Sequence, residues 1–115
     1  MARLDGKVAL ITGAAKGLGE SDARLFVKEG AKVVLTDIDK DLGIKLADEL
    51  GSDSALFLEQ DVREEDRWKE VLKETVNYFG HLNILVNNAG IVIPGNIESQ
   101  TTEEYRLIMS VHVDS

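Results

Sequence analysis

Cysteine is absent from the 115 residues, which removes disulfides and thiol chemistry. A reducing compartment suits such a chain, and the cytoplasm is the expected location. Proline occurs once, at Pro94, so no proline-rich linker divides the sequence. Aromatic residues make up only 5%, and Trp68 and Phe79 fall on one helical pattern that reads as core, not as a base-stacking platform. Long apolar runs are also missing. Nothing approaches the roughly 18 residues of a membrane span, and Met1 to Gly6 lacks the apolar stretch of a signal peptide. Cations are outnumbered, with 13 Lys and Arg against 21 Asp and Glu and a formal charge of -8. Binding to nucleic acid phosphates needs clustered Lys and Arg, and here they are scattered, so no nucleic acid partner is expected. Two separated histidines without cysteine argue against a zinc site.

What is present is an ordinary soluble balance, 43% apolar and 30% charged, with no internal repeat and no low-complexity tract. Apolar runs at Val8 to Ile11, Val33 to Leu35, Ala55 to Leu58 and Ile84 to Val86 alternate with helix-length amphipathic stretches. The runs at 8 to 11 and 84 to 86 are apolar at every position, as strands covered on both faces must be. The reading is α/β, a doubly wound parallel sheet of the Rossmann type. A first helix begins near Gly17 and is closed by Gly30. Leu42, Leu46 and Leu50 mark a second, closed by Gly51. Trp68, Val71, Leu72, Thr75, Val76 and Phe79 mark a third, with Glu64, Glu65 and Asp66 at its dipole-positive start. Thr101 and Glu104 have capping-box spacing, and Tyr105, Ile108, Met109 and His112 share a helical face, so a fourth helix is expected to run to Ser115.

The segment Thr12-Gly13-Ala14-Ala15-Lys16-Gly17-Leu18-Gly19 joins the first strand to the first helix with G-x-x-x-G-x-G spacing. Gly13 suits a sharp turn off the strand, Gly17 a close approach of backbone to a pyrophosphate, and Gly19 tight packing of the helix. Free N–H groups and the helix dipole hold such an anion without a basic protein. Asp37 ends the second strand a little over twenty residues past Gly13, where a carboxylate accepts the adenosine ribose hydroxyls. Asp61-Val62 follows the third strand and Asn87-Asn88-Ala89-Gly90 the fourth, so all four strands end in small or polar residues at the carboxyl edge. Ligands of open α/β sheets bind there. The run Asp37-Ile38-Asp39-Lys40-Asp41-Leu42-Gly43 only superficially suggests a calcium loop, because Gly43 comes one position late and position twelve is Asp48.

In this order, TGAAKGLG, Asp37, DV and NNAG resemble the short-chain dehydrogenase/reductase family, from about Gly6 to the C-terminus. The resemblance implies the N-terminal half of a Rossmann fold, strand order 3-2-1-4, truncated in the helix after the fourth strand. Residues 1–115 would form an incomplete dinucleotide-binding domain with NAD as cofactor. It assigns pyrophosphate to Gly13, Gly17, Leu18 and Gly19, with Lys16 either a contact to an NADP 2′-phosphate or a solvated loop cation. It assigns the ribose to Asp37 with Ile38 beside it, the adenine to Asp61 and Val62, and the surroundings of the nicotinamide-side ribose to Asn88, Ala89 and Gly90. Asn87 mainly ties strands together. The implied activity is interconversion of a secondary alcohol and a ketone, on a small-molecule substrate and in a homo-oligomer when full length.

Four departures accompany the resemblance. The family's catalytic Ser and Tyr-x-x-x-Lys have no counterpart here: Tyr78 is followed four residues on by Leu82 and Tyr105 by Met109. No catalytic residue is therefore assigned, and the chain alone is expected to bind without turnover. The alternative is a non-enzymatic nucleotide-binding or interaction fragment. His112 stands where the family carries an Asn, either as a proton relay or as a structural histidine. Asn83 and Asp22 occupy positions more often Asp and small or apolar, respectively, and are expected to weaken local packing. A sugar-nucleotide epimerase of the extended type is disfavoured, since those relatives space the loop G-x-x-G-x-x-G.

Overall fold

The computed structural model describes residues 4–88 and the backbone of 107–113. Four parallel strands alternate with three helices: β1 (Val8–Thr12), α1 (Gly17–Lys28), β2 (Lys32–Asp37), α2 (Lys40–Leu50), β3 (Ala55–Glu59), α3 (Glu65–Phe79) and β4 (Leu82–Asn87). Strand order is β3-β2-β1-β4, with β5 (Leu107–Val113) beyond β4. The central strands are parallel and in matching register, Leu10 lying between Val34 and Leu85, so their carboxyl ends form one edge.

Alternation along each strand divides the core in two. Val8, Leu10, Val34 and Leu85 meet Trp68, Val71 and Leu72 of α3 on one face. Ala9, Ile11, Val33, Leu35 and Val86 meet Ala23 of α1 and Leu46 of α2 on the other. Because both faces are covered, β1 is buried at all five positions, which is why its sequence is apolar almost throughout. Asn83 does not loosen this packing. Its Oδ1 accepts a 2.8 Å hydrogen bond from the Val8 backbone N–H, joining β4 to the start of β1. Asp22 sits half-buried on α1.

The helix expected from Thr101 onward is not what residues 107–113 form. They make β5, antiparallel to β4, pairing Asn87 with Leu107, Leu85 with Met109 and Leu82 with Val113, with a register shift between Leu82 and Ile84. Both periods are written in this segment. Ile108, Met109 and His112 fit a helical face, but Leu107, Met109, Val111 and Val113 also alternate, and Ile108, Val111 and Val113 favour strands. The unpaired backbone of the apolar strand β4 decides between them, since its N–H and C=O groups gain partners only from another strand. The edge of β4 is thus covered by the chain itself, and His112 lies in a strand. Thr101, Glu104 and Tyr105 lie outside the described residues.

Candidate functional site

At the carboxyl edge, the turn after β1 is set by Gly13 (φ 63°) and the entry to α1 by Gly17 (φ 64°), left-handed conformations that glycine adopts without a Cβ penalty. A Cβ on Gly17 would meet nothing within 4 Å, whereas one on Gly19 would lie 2.1 Å from the Gly13 carbonyl oxygen. The close approach at Gly19 is therefore between the helix and the turn itself. Lys16 supplies no side-chain cap to α1, which leaves the N–H groups of the first helical turn to water or a ligand.

Thr12, which sequence reasoning passed over, organises the ends of β1 and β4. Its hydroxyl donates to Asn87 Oδ1 at 2.7 Å and accepts from the Asn88 backbone N–H at 3.1 Å. Asn88 Nδ2 donates to the Thr12 carbonyl at 3.2 Å. Asn87 ties strands together as expected, and Asn88 Oδ1 is left buried with no hydrogen-bond partner among the described residues.

Asp37 ends β2 with both carboxylate oxygens engaged. Oδ1 accepts from the Asp39 backbone N–H at 2.9 Å, an Asx turn that leads into α2, and Oδ2 accepts from the Ala15 N–H at 3.0 Å. At the end of β3, Asp61 Oδ1 accepts from the Arg63 backbone N–H at 3.0 Å, and the Arg63 guanidinium forks across both oxygens at 3.0 and 2.7 Å. Those bonds, the side-chain pair first and the backbone N–H second, lower the Asp61 pKa to about 2. Val62 is fixed from below: the indole N–H of Trp68, a residue only 1% exposed, donates to its carbonyl at 2.8 Å.

These groups surround one open cavity of about 620 Å³, within the range of roughly 300–1,000 Å³ usual for small-molecule sites. It is lined by Gly13, Lys16, Leu18 and Gly19 from the loop and the start of α1, Asp37 at the end of β2 and Ile38 after it, Asp61 and Val62 after β3, and Asn88 after β4. Nine of the twelve residues expected at the site therefore share its wall. Gly17 is not on it, and Ala89 and Gly90 lie outside the described residues. Two lining residues were missed. Arg63 is the predictable third residue of the Asx turn begun by Asp61. Gln60, 2% exposed with neither amide atom partnered among the described residues, carries only a weak signal, a polar residue at a strand end. Among the described residues no group of three or more His, Cys, Asp or Glu could hold a metal ion, and no helix is long and apolar enough to cross a membrane.

A family model described as short chain dehydrogenase matches residues 7–115. The chain belongs to this family. It is 42% identical over 113 residues to the 3-beta-hydroxysteroid dehydrogenase of Comamonas testosteroni, covering 98% of this chain and 44% of that protein. It is also 42% identical over 113 residues to the NADP-dependent (R)-specific alcohol dehydrogenase of Lentilactobacillus kefiri, covering 97% of this chain and 45% of that protein. Among solved structures, the 3-ketoacyl-(acyl-carrier-protein) reductase from Brucella melitensis complexed with NADH is similar, with a TM-score of 0.69 and 44% identity over 71% of this chain and 33% of that one. The chain thus spans less than half the length of these relatives. The family is one of oxidoreductases that bind a nicotinamide cofactor.

Proposed function

We propose that residues 1–115 form the cofactor-binding portion of an NAD(H)-dependent oxidoreductase interconverting a secondary alcohol and a ketone. The residues present fit the cofactor. The backbone above Gly17 is open, a Cβ at Gly19 would collide with the loop, and the Asn88 Oδ1 acceptor is unpartnered among the described residues. The first turn of α1 and Gly13, Gly17, Leu18 and Gly19 would hold the pyrophosphate, Asp37 and Ile38 the adenosine ribose, Asp61 and Val62 the base. Asn88, Ala89 and Gly90 would flank the second ribose. When bound, the nicotinamide supplies the hydride chemistry. We take the full-length protein to be a homo-oligomer and its substrate a small molecule.

Asp37 carries the choice of NAD over NADP. Relatives at 44% and 42% identity differ, one solved with NADH and one NADP-dependent, so family membership does not fix the preference and individual residues are read for it. A fixed carboxylate accepts ribose hydroxyls and repels a 2′-phosphate. At about 4 Å the repulsion between unit charges is on the order of 1 kcal/mol in water and 4 at a surface-like dielectric, roughly tenfold to a thousandfold in affinity. Two cations line the cavity, but Arg63 is forked onto Asp61, Lys16 is exposed, and Ile38 adds no charge. Calorimetric titration of both cofactors is expected to give tighter binding of NAD. The 115-residue chain, given secondary alcohols in the same solutions, is expected to form no NADH. Equal or tighter binding of NADP would overturn the assignment.

A further inference from the structure

The bond from Ala15 to Asp37 joins two segments that the cofactor would also join, and it is made by the chain's own groups. Ala15 lies 22 residues before Asp37, in the middle of the glycine loop. Next to it the Ala14 N–H donates to the Thr36 carbonyl at 3.0 Å, so two successive loop amides are tied to the last two residues of β2. Resting on the cofactor reading above, we infer that Asp37 is also the positioning residue that latches the glycine loop in its binding conformation before the cofactor arrives.

The chemistry of the carboxylate supports the double task. An ionised carboxylate offers about four lone-pair sites and no donor. Two are taken by the N–H groups of Ala15 and Asp39, one on each oxygen, which fixes the plane of the group. The remaining two match the two hydroxyls of a ribose diol, so binding requires no rotation and no exchange of partners. The loop needs such a tie because Gly13 and Gly17, both at positive φ, leave it with more freedom to lose than any other residue type would. Preorganisation of this kind makes the loop amides available as anion donors in one geometry.

A consequence separates the latch from simple charge repulsion. Replacing Asp37 by a small neutral residue removes the repulsion toward a 2′-phosphate but also leaves the Ala15 N–H without its acceptor. Such a variant loses NAD without a matching gain of NADP.

The test uses no cofactor. Amide hydrogen exchange is followed by NMR in the cofactor-free full-length protein and in Asp37→Ala. Exchange at Ala15 is expected to accelerate roughly tenfold to a hundredfold, the worth of a hydrogen bond to a charged group. Amides of Leu10 and Leu85 in the sheet should be unchanged. Unaltered exchange at Ala15 would overturn the latch. If Asp37→Ala does not fold, Asp37→Asn keeps the volume, but its single carbonyl cannot serve both N–H groups in place. Protection is then expected to fall at Ala15 or Asp39, and retention at both overturns the inference. Tighter binding of NADP than of NAD would overturn the cofactor preference while leaving this exchange result intact.

Discussion

Two carboxylates stand at the carboxyl ends of neighbouring parallel strands, Asp37 as the last residue of β2 and Asp61 two residues past β3, and they are held in different ways. Asp37 and Asp61 both begin Asx turns, accepting from the backbone N–H two residues on at 2.9 and 3.0 Å. The second oxygen of Asp37 is held by a backbone amide of the glycine loop, that of Asp61 by the side chain of Arg63, which is 84% exposed. The first is a tie between distant segments through rigid backbone. The second is a local ion pair whose cation is free to swing into solvent. A change at the β2 end should therefore reach the loop, whereas a change at the β3 end should stay where it is made.

Breaking the loop itself should have the largest effect and abolish the contrast. In Gly19→Ala the new Cβ would lie 2.1 Å from the Gly13 oxygen and 2.9 Å from the Ala14 Cα, both backbone that cannot step aside. Overpacking of this kind costs about 1–3 kcal/mol or more. Urea denaturation should show that loss, and titration should show no NAD binding. Wild-type stability in this variant would mean that α1 does not press on the turn as described.

A smaller effect is expected from Trp68→Phe, which acts on the β3 end alone. The variant keeps an aromatic ring in the core but removes the donor to the Val62 carbonyl. A buried acceptor left without its partner costs roughly 1–3 kcal/mol, measurable as a lowered urea midpoint. Hydrogen exchange at Ala15 should not change. If it accelerates as much as in Asp37→Ala, the two strand ends are coupled and the contrast between them fails.

The same contrast governs how far the sequence could be read. Strands β1 to β4 were legible within one or two residues, β1 most plainly, because a strand buried on both faces must be apolar almost without a break. The loop was legible because glycine is required where Gly13 and Gly17 take positive φ. Asp37 was legible as a position, but its bond to Ala15 was not, since no local spacing links residues 22 apart. Thr12 reads as one more β-branched strand residue until Asn87 and Asn88 are brought beside it by strand pairing. Residues 107–113 satisfy both a helical and an alternating pattern, and the open side of β4, a property of the folded sheet, settles the matter.

The smallest effect concerns Asp61 and is one of titration more than stability. Its pKa in the folded chain is lowered to about 2 from 3.8, first by the Arg63 side chain and then by the Arg63 backbone N–H. A depressed carboxylate pKa contributes stability that is fully present above the unfolded value, near 3.8, and is lost as pH falls through about 2. The contribution should be slight, because the pair is exposed and screened by water and salt. In Arg63→Ala the backbone N–H still reaches Asp61 Oδ1, so the pKa should rise only part of the way from about 2 toward 3.8. Carboxyl-carbon NMR titration of Asp61 in both proteins measures that rise. A midpoint unmoved by the substitution would show that the backbone bond alone sets the pKa, making the β3 end as rigidly held as the β2 end. A full return to 3.8 would show that the Asx turn dissolves with the side chain, and the difference between the two strand ends would be larger than the geometry implies.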